Sequence, residues 1–398
     1  MRNGNACWRS FIIARKKQEV KHINSKDKDK ERVIIAALKV EGYGIHGFDH
    51  YLEELRGLVE AAGGQVIATL VQARRQVESA TYLGRGKVEE LKHLVQELEP
   101  DTVVFDRELS PVQLRNLEQL LDIKILDRTI LILDIFAQRA RSREGQLQVE
   151  LAMLQYRLPR LRGSGTQLSR LGAGIGTRGA GEQKLELDRR YIRGRIQEIK
   201  RQMARVESTR ALHRKQRQRS GIKTLSLVGY TNAGKSSLFN ALCSIAHKSG
   251  SGQVEADERL FQTLDTTTRR IDLGGGQKVL ITDTVGFIQD LPPALVAAFH
   301  STLEEAIDAD LLLHVVDISD PNYLDKIGVV EKVLEELGAE KDRIITVFNK
   351  VDLLKDYTDT APKGSIYLSA RSGQGLEDLM GLIVQRLQMD KSDCISPI

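Results

Sequence analysis

The run Gly229-Tyr230-Thr231-Asn232-Ala233-Gly234-Lys235-Ser236 has the spacing of a loop that wraps phosphate. Its glycines let successive backbone amides turn toward one anion, and a helix entered at this point adds partial positive charge. Lys235 carries an ammonium that reaches the outer phosphates. The Ser236 hydroxyl, with Ser237 beside it, is a hard oxygen donor suited to Mg²⁺. Further along, Asp283-Thr284-Val285-Gly286 offers a carboxylate that holds the metal through water and a Gly286 amide for the γ-phosphate. Asn349-Lys350-Val351-Asp352 brings a second carboxylate. Asp352 accepts from guanine N1–H and its exocyclic amine, whereas adenine presents an acceptor at N1, so the acid selects GTP over ATP. In Ser369-Ala370-Arg371 a backbone amide meets guanine O6. A second metal ligand has to lie between Ser236 and Asp283. Phe261-Gln262-Thr263-Leu264-Asp265 and Thr266-Thr267-Thr268 offer the hydroxyls; Thr263 is the choice and Thr267 its rival. Expected catalytic residues are therefore Lys235, Thr263 and Gly286, and expected metal ligands Ser236 and Thr263.

Taken alone, Asp-x-x-Gly is a turn after a strand. Four such elements gain their weight from position, because each follows a short β-branched run. Strands are expected at Thr224–Val228, Val279–Thr282, Leu311–Val316, Ile344–Phe348 and Ile366–Leu368, with a helix through Ser237–Leu242. Upstream, strands at Val33–Leu38, Val66–Val71, Thr102–Phe105 and Ile123–Leu126 alternate with helices at Tyr51–Ala62, Val88–Leu98 and Pro111–Leu121. A further helix starts at Thr129. Strands separated by helices of this length imply right-handed crossovers and a small parallel sheet covered on both faces. Ser110-Pro111 reads as an N-cap followed by proline in the first turn.

Between the two α/β regions, a helix over Gln146–Leu158, broken near Pro159, and one over Glu182–Arg219 flank a loop, 163–181, that holds seven glycines. Leu185, Ile192, Ile196, Ile199, Met203 and Val206 recur at helical spacing, so the second helix buries one stripe against the first as an antiparallel hairpin. The expected organisation is an extension at 1–31, an α/β domain at 32–140, a basic helical hairpin at 141–220, a nucleotide-binding domain at 221–389 and a tail at 390–398.

The net charge of +5 is unevenly spread: Met1–Gln138 is neutral, Arg139–Ser220 carries +14 and Gly221–Ile398 carries −9. A basic segment of this size is the footprint of a phosphate-backbone partner. Hydrophobic residues at 41% and charged residues at 28% fit an ordinary globular chain. No apolar run approaches the ~20 residues of a bilayer span. Cys7, Cys243 and Cys394 match neither a zinc spacing nor a disulfide framework, which points to a reducing compartment and the cytoplasm. Acid-free Met1–Gln18, with Arg2, Arg9 and Ser10, also has the character of an organelle-targeting peptide.

Asp283-Thr284-Val285-Gly286-Phe287-Ile288, Thr263-Leu264-Asp265, Tyr82-Leu83-Gly84-Arg85-Gly86-Lys87 and the loop Leu168–Gly179 together resemble the HflX GTPases over roughly Val33–Leu387. Ala173, Ala180, Gln183-Lys184 and Thr266 depart from the family's usual residues. The resemblance implies binding to the large ribosomal subunit, with the N-terminal domain and hairpin reaching ribosomal RNA near the peptidyl transferase region. It also implies splitting or rescue of stalled ribosomes, and it supports Thr263 as the Mg²⁺-binding switch threonine; a monomer with no membrane span is expected.

Phe287 stands where many GTPases place a water-orienting glutamine. Its side chain cannot hydrogen-bond water, so slow intrinsic hydrolysis and dependence on a partner are expected. One alternative is an RNA-binding assembly factor using GTP only as an occupancy signal. Another is an RNA-remodelling ATPase with a phosphate site at Gly84-Arg85-Gly86-Lys87, a run that lacks the full phosphate-loop motif.

Overall fold

The computed structural model describes residues 30–40, 47–161, 180–246, 267–273, 278–288, 307–354 and 365–389. The first sheet is built from β1 (Glu31–Lys39), β2 (Gly64–Ala73), β3 (Thr102–Phe105) and β4 (Lys124–Asp127), all parallel, in the order β2-β1-β3-β4. Helices α1 (Gly47–Ala61), α2 (Arg85–Leu98), α3 (Pro111–Leu121) and α4 (Arg128–Arg139) connect and follow these strands. Because side chains alternate along a strand, β1 sends Val33, Ile35 and Ala37 into one core with Leu55, Leu58 and Ile132. Ile34, Ala36 and Leu38 enter the opposite core with Leu91, Leu117 and Leu121. Burial on both faces is why β1 reads as an unbroken apolar run. The capping box at α3 is complete: Ser110 Oγ accepts from Gln113 N at 3.2 Å and Gln113 Oε1 from Ser110 N at 2.9 Å.

Helices α5 (Arg143–Arg160) and α6 (Ala180–Ser220) pack through Leu147, Leu151, Leu154, Ile192, Ile196 and Ile199. Arg143 Nη2 meets Gln202 at 3.3 Å and Arg195 Nε meets Glu150 at 2.7 Å, so the register runs antiparallel. Pro159 does not break α5 as the sequence suggests. It sits one residue from the helix end, so only the final turn loses an i→i−4 bond, and Arg160 Nη2 anchors the end on Leu109 O at 2.6 Å. Most of the Gly-rich loop, the 1–29 stretch, the 390–398 tail and the whole Phe261–Asp265 segment, Thr263 included, lie outside the described residues.

The second sheet holds β5 (Lys223–Gly229), β6 (Thr267–Asp272), β7 (Lys278–Asp283), β8 (Leu311–Asp317), β9 (Ile344–Asn349) and β10 (Ser365–Tyr367) in the order β10-β9-β8-β5-β7-β6. Only β6 runs antiparallel to its neighbour. Helices α7 (Lys235–Ala246) and α9 (Leu376–Met389) cover one face through Leu238, Phe239, Leu379 and Ile383. Helix α8 (Tyr323–Glu336) covers the other through Val330 and Leu334. The sequence reading assigned neither α8, α9 nor β6. β6 is a polar edge strand, Thr-Thr-Arg-Arg-Ile-Asp, with Ile271 its one fully buried residue, so no alternation marks it.

Candidate nucleotide site

Gly229 ends β5 with φ 150°, and a Cβ there would lie 2.3 Å from Val315 O. Gly234 has φ 91°, and a Cβ would lie 2.2 Å from Asn349 Nδ2. Both positions therefore need glycine for conformation and for space. Asn232 adopts φ 60° and is exposed at the tip, while Thr231 and Ala233 are buried. The Thr231 hydroxyl has no hydrogen-bond partner among the described residues. Lys235 turns back over the loop, and its Nζ donates to Gly229 O at 3.0 Å and Tyr230 O at 2.8 Å. Burial pulls this ammonium down to about 8, with Asp283 opposing.

Ser236 and Ser237 occupy the first turn of α7. Ser236 Oγ donates to Asp283 Oδ2 at 2.7 Å, which brings the end of β7 onto the start of that helix. No cluster of three or more His, Cys, Asp or Glu among the described residues could hold a metal by itself. A hydroxyl beside a buried carboxylate is nonetheless a hard-oxygen set that fits Mg²⁺, which takes most of its ligands from water and phosphate. After Asp283 the chain folds directly onto the phosphate loop. Phe287 N donates to Gly229 O at 3.1 Å and Thr231 N to Phe287 O at 2.7 Å. A Cβ on Gly286 would lie 2.9 Å from Lys235 Nζ and from Thr231 Cα. The Thr284 hydroxyl turns into the sheet to donate to Leu227 O at 2.5 Å. Val285 joins Phe48 and Leu52 in the core of the first sheet, as does Ile288.

Asn349 bridges two loops: its Nδ2 donates to Ala233 O at 2.9 Å, and its Oδ1 accepts from Ala370 N at 3.0 Å. Lys350 adopts φ 70° and its Nζ reaches Asp317 Oδ2 at 2.6 Å. Asp352 stands exposed in the turn after it, and Arg371 is exposed beside buried Ser369. Ser369 Oγ accepts from Ser372 N at 3.1 Å and shapes that loop.

Three family models match the chain in succession: "GTP-binding GTPase N-terminal" over 49–137, "GTP-binding GTPase Middle Region" over 139–217 and "50S ribosome-binding GTPase" over 224–350. GTPase HflX of Caldanaerobacter subterraneus subsp. tengcongensis is 49% identical across 90% of this chain and 81% of its own length. The Escherichia coli GTPase HflX is 43% identical across 85% of this chain and 79% of its own length. The chain belongs to the HflX family of GTPases. A solved GTP-binding protein from Sulfolobus solfataricus, in complex with GDP, aligns with 89% of this chain and 99% of its own at 23% identity and TM-score 0.45. Membership in the HflX family carries the P-loop GTPase domain and with it GTP hydrolysis.

Two site neighbours of this HflX GTPase escaped sequence reasoning. Asp317, the partner of Lys350, ends β8, and the carboxyl-end rule that found the other motifs could have found it. His314 lies buried on β8 beneath the loop and is held neutral, its pKa lowered to about 4 by burial and then by Lys235. No sequence signal singles it out. No helix among the described residues is long and apolar enough to cross a membrane.

Proposed function

We propose that this HflX GTPase acts as a monomer on the large ribosomal subunit, splitting or rescuing stalled ribosomes, with GTP hydrolysis timing its release. In this reading the amides from Asn232 to Ser236 and the Lys235 ammonium hold the phosphates. Asp352 selects guanine, a backbone amide of the Ser369-Ala370-Arg371 turn meets O6, and Asn349 braces both loops. Ser236 and Thr263 ligate Mg²⁺, with Asp283 behind them. Bound there, the ion neutralises charge shared by the β- and γ-phosphate oxygens.

The observation that carries the proposal is Phe287. The residue after Gly286 is 2% exposed, and its backbone is zipped to Gly229 and Thr231. Its side chain has no group with which to orient water, so an activator has to complete the site. Two features support the ribosome as that activator: the "50S ribosome-binding GTPase" description of the matching family model and the +14 charge of Arg139–Ser220. Turnover measured with and without purified large subunits tests it, alongside sedimentation in GTP-analogue and GDP states across a salt series. Fast hydrolysis by the isolated chain, or no GTP-dependent co-sedimentation, refutes it. Ribosome splitting by Lys235→Ala at the wild-type level favours the occupancy-signal alternative.

A further inference from the structure

One side chain of the phosphate loop leaves the phosphate site altogether. Tyr230 is buried, and its hydroxyl donates to Glu54 Oε2 on α1, across the junction between the two α/β units. The other Glu54 oxygen accepts from Arg128 Nη2 at the start of α4. Glu54 is 9% exposed and Arg128 2%. The Arg128 guanidinium lies 4.8 Å from the centre of the Tyr51 ring, and the Tyr51 hydroxyl donates to the Asp106 carbonyl. The Asp106 carboxylate in turn accepts from Tyr82 Oη at 2.8 Å. On its far side the Tyr230 ring faces the Lys326 ammonium at 4.9 Å, itself paired with Asp320. A buried ion pair stabilises a fold no better than apolar packing of the same volume, so this chain of charges at a domain junction calls for another role.

Its geometry supplies one. The Tyr230 carbonyl accepts from Lys235, and the peptides on either side of Tyr230 are those bonded to Phe287. Fixing the Tyr230 side chain thus fixes the start of the phosphate loop and the register of the Asp283–Phe287 segment against it. Val285 and Ile288, packed among the residues of α1, press the same segment onto the same unit.

We propose that Tyr230 and Glu54 are positioning residues for the phosphate loop, through which the N-terminal unit sets the affinity of the site for nucleotide. The inference rests on the GTPase assignment and not on ribosome binding. The anchored loop serves the phosphates before and during hydrolysis alike, so losing the anchor weakens binding uniformly: KM rises and kcat is kept.

The test uses the full chain with Tyr230→Phe, Glu54→Gln and the double variant. Fluorescent GDP and a non-hydrolysable GTP analogue are titrated, and steady-state hydrolysis and thermal unfolding are recorded. Tyr230→Phe, which keeps the ring and the buried Glu54–Arg128 pair, is expected to raise both Kd values and KM about tenfold, the worth of one charge-assisted hydrogen bond, with kcat within about twofold. Glu54→Gln is expected to move Kd in the same direction, and the double variant to bind no more weakly than the worse single one. If Glu54→Gln does not fold, Tyr230→Phe decides alone. Wild-type affinity in Tyr230→Phe, a fall in Tm with affinity intact, or fully additive losses in the double variant overturns the proposal.

Discussion

Gly286→Ala places a methyl group in a crowded part of the candidate nucleotide site. The new carbon would lie 2.9 Å from Lys235 Nζ, Thr231 Cα and Thr231 Cγ2. The lysine tip and the threonine methyl can swing away, but Thr231 Cα is backbone. It moves only if the bonds that pair Phe287 with Gly229 and Thr231, 3.1 and 2.7 Å long, are stretched or broken. Two such bonds at about 0.5–1.5 kcal/mol each give about 1–3 kcal/mol in total. Overpacking of a tight contact by one methyl independently costs about 1–3 kcal/mol. Gly286 has no positive φ, so no backbone strain is added and the cost is steric. A loss of that size in transition-state binding lowers kcat/KM by about 5- to 150-fold. Single-turnover GTP hydrolysis, paired with GDP and GTP-analogue titrations, measures it, and the GTP-dependent readouts are expected to fall more than GDP affinity. Turnover within twofold of wild type would falsify the argument that this contact is set to backbone tolerance.

Two further outcomes follow from other parts of the site. In the proposed base recognition, Asp352→Asn replaces an acceptor of guanine N1–H by an amide, so GTP affinity is expected to fall about 100-fold, and xanthosine triphosphate, whose C2 carbonyl accepts from the new N–H, to bind better than GTP. Competition binding checks this, and unchanged guanine preference would remove Asp352 from base recognition. His314 titrates near 4 in the folded chain against an ordinary 6.5, a gap worth about 3 kcal/mol. The unfolded chain binds the proton more readily, so this contribution to stability is complete above about pH 6.5 and is lost as pH falls toward about 4. Asp106, pushed up to about 6 by burial, gives the opposite slope over much of the same range. The comparison is therefore His314→Val against wild type in denaturant titrations at a series of pH values. The variant is expected to lose less stability on acidification, and parallel curves would count against a buried neutral imidazole.

Elements that are periodic along the chain were legible before any coordinates. The β1, β3 and β8 runs are apolar because both faces are covered, and Ser110-Pro111 announces α3 through a cap that depends only on neighbours in sequence. The polar edge strand β6 was not legible, because its more covered positions, Thr267, Arg269 and Ile271, include a single apolar side chain and so show no alternation.

The phosphate loop, the Asp283–Gly286 turn and Asn349–Asp352 were determined by sequence alone, since each is a short run whose chemistry depends on spacing along the backbone. Tertiary structure decided what lies behind them. It spends the Thr284 hydroxyl on the sheet, makes Asn349 a brace between loops, and brings Glu54 and Arg128 to Tyr230. Residues far apart in the chain become partners only when the strands, helices and loops of the two α/β units pack together, and no local pattern encodes that meeting.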